Sequence, residues 1–174
     1  MSVATTAFFA SCDSDMTEFN SFPARFVITP VTQVPQLYTA ATSAGEYCMI
    51  WREGTNTVFQ NQYGSSMTLS ATALTSYNTW VSTLGNGFIV GTTNMPEPGN
   101  TEVSLVAYDR SCPNCYTEDY ITRAMTFSSY GHVSCGRCHR TYDLNNGGYV
   151  KDSTGIKLFR YRVSYTGTTL SVSN

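Results

Sequence analysis

At 174 residues the chain has the size of one domain and is long enough to bury a substantial core. Ten Lys and Arg against twelve Asp and Glu leave a net charge of -2, and only 13% of residues are charged, so there is no basic surface to follow a phosphate backbone and no nucleic-acid partner is expected. Thirteen glycines and twelve tyrosines, amid many Thr, Ser and Val, describe short strands joined by tight turns, and the expected class is mainly β.

Near the N-terminus VATTAFFASC, residues 3–12, is a short run of small and apolar residues that ends at Cys12 and gives way to the acidic, polar DSDMTEFNS. Phe9-Ala10-Ser11-Cys12 resembles the lipobox of bacterial lipoproteins, in which the cysteine carries acyl chains. The likeness implies a signal over residues 1–12, a tether over 13–24 and a domain held in the cell envelope by lipid on Cys12, its only membrane contact. The alternative is a free Cys12 at an ordinary chain end. No other stretch approaches the ~20 apolar residues of a spanning helix.

From Pro23 the sequence reads as strands. ARFVITPV is a first strand whose ladder is limited by Pro30 and Pro35. EYCMIWREG is a second, with Cys48 as a core residue, and TNTVFQNQYG returns after Gly54 as its hairpin partner. ATALTSYNTWVSTL is the segment where strand periodicity lapses, so helix is expected mainly between Ala71 and Val81. A Gly-Asn-Gly turn starts the apolar strand GNGFIVGTT, and MPEPGN is a loop. EVSLVAYDR then ends at Cys112 and GHVSC ends at Cys135, while LFRYRVSYTGTTLSV closes the chain as a hairpin around Gly167.

CPNC at 112–115 and CGRC at 135–138 are two C-x2-C knuckles separated by nineteen residues, within the spacing of zinc sites. Two intervening residues let a turn aim both thiolates at one point, and two such turns complete a tetrahedron. Pro113 suits the first turn by fixing φ; Gly136 suits the second by permitting close backbone approach. Backbone N–H groups in each knuckle are available to the sulfurs.

The wider context resembles a Rieske iron–sulfur domain. GNGFIVGTT, VSLVAYDRSCPNC, GHVSCGRCHRTYDLNNGGYV and LFRYRVSYTGTTLSV follow in that family's order, with Tyr142-Asp143 and Gly147-Gly148 before the final hairpin. The resemblance spans roughly residues 25–174. It implies a Rieske-type antiparallel β sandwich or barrel, a small metal-binding subdomain over 110–140 like a rubredoxin or zinc ribbon, and electron transfer to a redox partner. Cys112 and Cys135 match the family's cysteine ligands, but Asn114 and Cys138 stand where its two histidines belong, and Lys151 to Gly155 lacks the family's covering proline. The histidine-ligated end of a Rieske cluster therefore cannot be built.

With Cys112, Cys115, Cys135 and Cys138 all ligating, the site suits one Zn2+ first, with Fe or a [2Fe-2S] cluster as the other options. The metal-free alternative is two disulfides running between the knuckles, Cys112 to Cys135 or Cys138 and Cys115 to the other, in an interaction module. No catalytic constellation is evident: His132 and His139 both flank the second knuckle, and His139 reads as a surface or outer residue rather than a ligand or base. Asp109, Glu118 and Asp119 crowd the first knuckle without a paired acid–base arrangement. Tyr116, Tyr120 and Tyr130 between the knuckles are candidates either for strand packing or for a contact surface.

Overall fold

A computed structural model of the protein describes residues 18–70, 80–97, 99–151 and 153–174. Strand β1 (Ala24–Ile28) leads through a 3-10 turn at Val31–Gln33 to helix α1 (Pro35–Thr42), followed by β2 (Tyr47–Glu53), β3 (Asn56–Asn61), β4 (Ser66–Leu69), β5 (Val81–Ser82), β6 (Phe88–Thr92) and β7 (Leu105–Asp109). Helix α2 (Pro113–Asp119) precedes β8 (Thr126–Ser129), β9 (His132–Ser134), β10 (Thr141–Asp143) and β11 (Tyr149–Val150), and β12 (Arg160–Tyr165) and β13 (Leu170–Ser173) end the chain. These strands form a nine-stranded sheet in the order β4-β3-β2-β6-β7-β12-β13-β1-β5 and a four-stranded sheet in the order β11-β10-β9-β8. The pairings are antiparallel throughout, so the mainly β class is observed.

Successive side chains of a strand point to opposite faces, and here that period divides the interior in two. Cys48 and Ile50 of β2, Phe88 and Val90 of β6 and Ala107 of β7 face one core, shared with Phe26, Leu37, Phe59, Tyr161 and Val172. Tyr47 and Met49, Ile89, and Val106 and Tyr108 of the same strands face the other, shared with Val133, Tyr142 and three cysteines. Strands β2, β6 and β7 are thus covered on both sides, which is why they read as nearly unbroken apolar runs. The large sheet curls around the first core: the Phe26 ring of β1 lies 6.3 Å from Phe59 of β3, near the far end of the strand order.

Helix α1 forms where the sequence suggested only interrupted strand. Pro35 sits at its first turn, where no N–H is needed, and Leu37, Ala40 and Ala41 form the i, i+3, i+4 stripe that packs on the first core. Helix α2 is a second departure, because the first knuckle opens a helix instead of a tight turn. Of the expected helix between Ala71 and Val81, residues 71–79 lie outside the described residues; Trp80 packs against the first core and Val81 belongs to β5. The buried cysteines of the 110–140 region share a core with Tyr47, Met49 and Ile89 of the large sheet, so burying that face ties the two sheets together.

Candidate metal centre

The two knuckles arrive from different sheets. Strand β7 ends at Asp109, whose buried carboxylate accepts the Ser111 N–H at 2.7 Å and the Tyr161 hydroxyl at 2.9 Å, pinning the turn into Cys112. The same turn is paired with the 123–125 segment, Cys112 N–H donating to Arg123 O at 2.8 Å and Met125 N–H to Arg110 O at 2.8 Å. Cys112 caps α2 and Cys115 lies in its first turn, with Pro113 between them at the first helical position. The second knuckle occupies the connection between β9 and β10: Cys135 N–H donates to Arg140 O at 3.1 Å and His139 N–H to Cys135 O at 2.9 Å. The left-handed residue of this turn is His139, at φ 59°, while a side chain added at Gly136 would meet nothing within 4 Å. The close approach expected at Gly136 is therefore absent, and the conformational demand falls on His139.

The four sulfurs converge. All lie within 4.8 Å of one another, with Cys112 Sγ 3.5 Å from Cys138 Sγ and Cys115 Sγ 3.7 Å from Cys135 Sγ. A tetrahedron with metal–sulfur bonds of ~2.3 Å has edges of about 3.8 Å, so the cluster has the size of a single-ion site. A two-iron cluster shares its thiolates between two metal centres and spreads the two pairs further apart. The described cysteines are free thiols; the two closest sulfur pairs join one knuckle to the other, and each would have to close to ~2 Å to become a disulfide. The four cysteines are thus close enough to hold a metal ion.

Their surroundings differ. Cys112, Cys115 and Cys135 are buried and Cys138 is half-buried. Burial pushes the Cys112 and Cys115 thiols up, and for Cys112 the N–H of Cys115 and the Tyr142 hydroxyl oppose that push. At Cys138 burial also raises the thiol, but the Arg140 backbone N–H, the Cys112 thiol and the Arg140 side chain outweigh it and bring it down to about 7. Metal must displace protons from such thiols, so occupancy is expected to fall in acid.

Two residues that the sequence offered only as motif positions, Tyr142 and Asn114, prove to be partners at this site. The Tyr142 hydroxyl, on β10 four residues after Cys138, lies 3.2 Å from Cys112 Sγ. Asn114 is turned to other partners, its amide nitrogen 2.8 Å from that same hydroxyl and 3.1 Å from Ile156 O. For Tyr142 the signal was the in-and-out alternation of a strand leaving the knuckle; for Asn114 it was a polar residue held between two buried cysteines. The acidic residues near the first knuckle act as ties: Asp119 pairs with Arg137 at 2.9 Å and Glu118 with Arg140 at 3.1 Å, linking α2 to the second knuckle.

Neither histidine belongs to the sulfur cluster. His139 is exposed, and His132 places Nδ1 2.9 Å from Tyr130 O. Tyr116 packs against Phe22 and Phe159, with ring centroids 5.4 and 6.2 Å away, whereas Tyr120 and Tyr130 are exposed. Cys48 is fully buried in the first core, its thiol raised by burial. Cys12 lies outside the described residues. No helix among the described residues is long and apolar enough to cross a membrane. No protein-family profile matches the chain, and comparison with curated proteins and with solved structures returns no match.

Proposed function

We propose that this chain is a Rieske-type β domain of the cell envelope in which Cys112, Cys115, Cys135 and Cys138 hold one structural Zn2+. The observation that carries the metal assignment is the convergence of four sulfurs within 4.8 Å. Zinc is preferred because the cluster is all thiolate and already fills a tetrahedron, the closed donor set of structural zinc rather than the open one of catalytic zinc. A bound ion would cross-link the turn after β7 to the β9–β10 turn, and so one sheet to the other, across a core that has no other covalent tie among its described residues. The Rieske-type assignment is supported by the order of sequence motifs, and the envelope location by the lipobox-like Phe9 to Cys12.

An iron-loaded electron-transfer centre is the second reading, favoured by the half-buried Cys138, which brings one ligand to the surface where a redox partner can reach it. Elemental analysis and an absorption spectrum of protein purified without added metal separate the two. About one zinc per chain and a colourless protein are expected; iron with visible bands that bleach on reduction supports the electron-transfer reading. A metal-free protein whose unreduced mass is lower by about four hydrogens would show two disulfides and overturn both.

A further inference from the structure

Asn114 is 1% exposed, and its short side chain makes three hydrogen bonds. The Ile156 N–H donates to its Oδ1 at 3.1 Å, and its Nδ2 donates to Ile156 O at 3.1 Å and to Tyr142 Oη at 2.8 Å. The first contact fixes the orientation of the amide, since a backbone N–H can only meet the oxygen. Both protons of Nδ2 are then assigned, one to Ile156 O and one to Tyr142 Oη. A hydroxyl that accepts there has its own proton free for its other neighbour, Cys112 Sγ, at 3.2 Å. The match to the 153–158 segment is close on that segment's side too: a Cβ at Gly155 would lie 2.8 Å from Asn114 Oδ1 and 3.0 Å from Val150 Cγ2.

We infer that Asn114 is a positioning residue of the metal centre: clamped to the backbone of Ile156, it orients the Tyr142 hydroxyl to donate to Cys112 Sγ, and so couples the 153–158 segment to one ligand of the four. This rests on the metal reading above. A donor to a bound thiolate withdraws charge from the sulfur, so Cys112 is a weaker donor than it would be without the Tyr142 hydroxyl, and the ion's electronic environment depends on a segment that supplies no ligand.

The test uses the full chain loaded with Co2+, whose thiolate-to-metal absorption band reports on the sulfurs. Asn114→Asp keeps an oxygen for the Ile156 N–H but removes the donor to Tyr142 and gives its hydroxyl a carboxylate to turn to. Its band is expected at longer wavelength, shifted as in Tyr142→Phe, with no further shift in the double variant. Gly155→Ala, which disturbs the clamp without altering Asn114, Tyr142 or a cysteine, is expected to move the band the same way and to speed hydrogen exchange at the Ile156 amide by about tenfold or more. A purely structural Asn114 would lower the melting temperature of Asn114→Asp while leaving the band in place, and that result overturns the inference. A parent chain that takes up no Co2+ overturns the metal reading itself, and this role with it.

Discussion

Replacing Cys135 with Ser removes one sulfur from the centre and almost nothing else. The side chain is 1% exposed, its sulfur is 3.7 Å from Cys115 Sγ, and Ser differs by one atom, so the metal-free fold is disturbed little. With metal the expectation is different. Structural zinc sites bind with an apparent ~10–16 kcal/mol, so an even share per thiolate is about 2.5–4 kcal/mol, or about 100- to 1,000-fold in Kd. At free zinc 100 times the parent's Kd, binding stabilises the parent by about 2.7 kcal/mol, whereas the variant retains at most about 0.4 kcal/mol. For a domain of this size the difference corresponds to a melting temperature lower by about 5–10 °C. The assay is thermal unfolding of parent and Cys135→Ser, each in zinc and in chelator, with metal content measured in parallel. The two proteins should separate in zinc and nearly coincide in chelator. An equal gap in both conditions, or a full complement of zinc in the variant, would refute the reasoning.

Three more expectations concern residues around and beyond the cluster. Because His139 is exposed and left-handed, His139→Gly should leave zinc stoichiometry unchanged and raise stability by up to about 1 kcal/mol, whereas a fall in metal content would make the histidine a ligand. Burial raises the Asp109 carboxyl against the opposing pull of Ser111 and Tyr161, so its contribution to stability is complete below the ordinary carboxylate value of 3.8 and declines as pH rises through the higher folded value. Asp109→Asn should therefore gain stability relative to the parent as pH rises above the ordinary carboxylate value of 3.8 in chemical denaturation; a difference that does not change with pH would mean the carboxyl is not shifted. Acylation at Cys12 predicts that the parent fractionates with membranes and Cys12→Ala does not, so equal partitioning of the two would remove the lipid anchor from the proposal.

Local pattern in the sequence was enough for the β class, for most strands and for the four cysteines as a set. Runs of branched and aromatic residues mark β2, β6, β7 and β12, Gly167 marks the last hairpin, and C-x2-C spacing marks each knuckle, because all of these are properties of neighbours along the chain. The two helices were hidden by their prolines. Pro35 and Pro113 interrupt a strand but also start a helix, and only the packing of Leu37, Ala40 and Ala41 on a sheet, or of Cys112 and Cys115 around a shared centre, decides which. Tertiary structure alone decided that both knuckles meet at the join between two sheets, that the nearest sulfur pairs run from one knuckle to the other, and that Asn114 and Tyr142 serve one thiolate. Asn114 and Ile156 are 42 residues apart, as are the ends of no single motif, and their contact exists because the large sheet brings β7 beside β12. Spacing along a chain can aim two thiolates at a point; bringing two such points together requires the burial of an apolar face shared by both sheets.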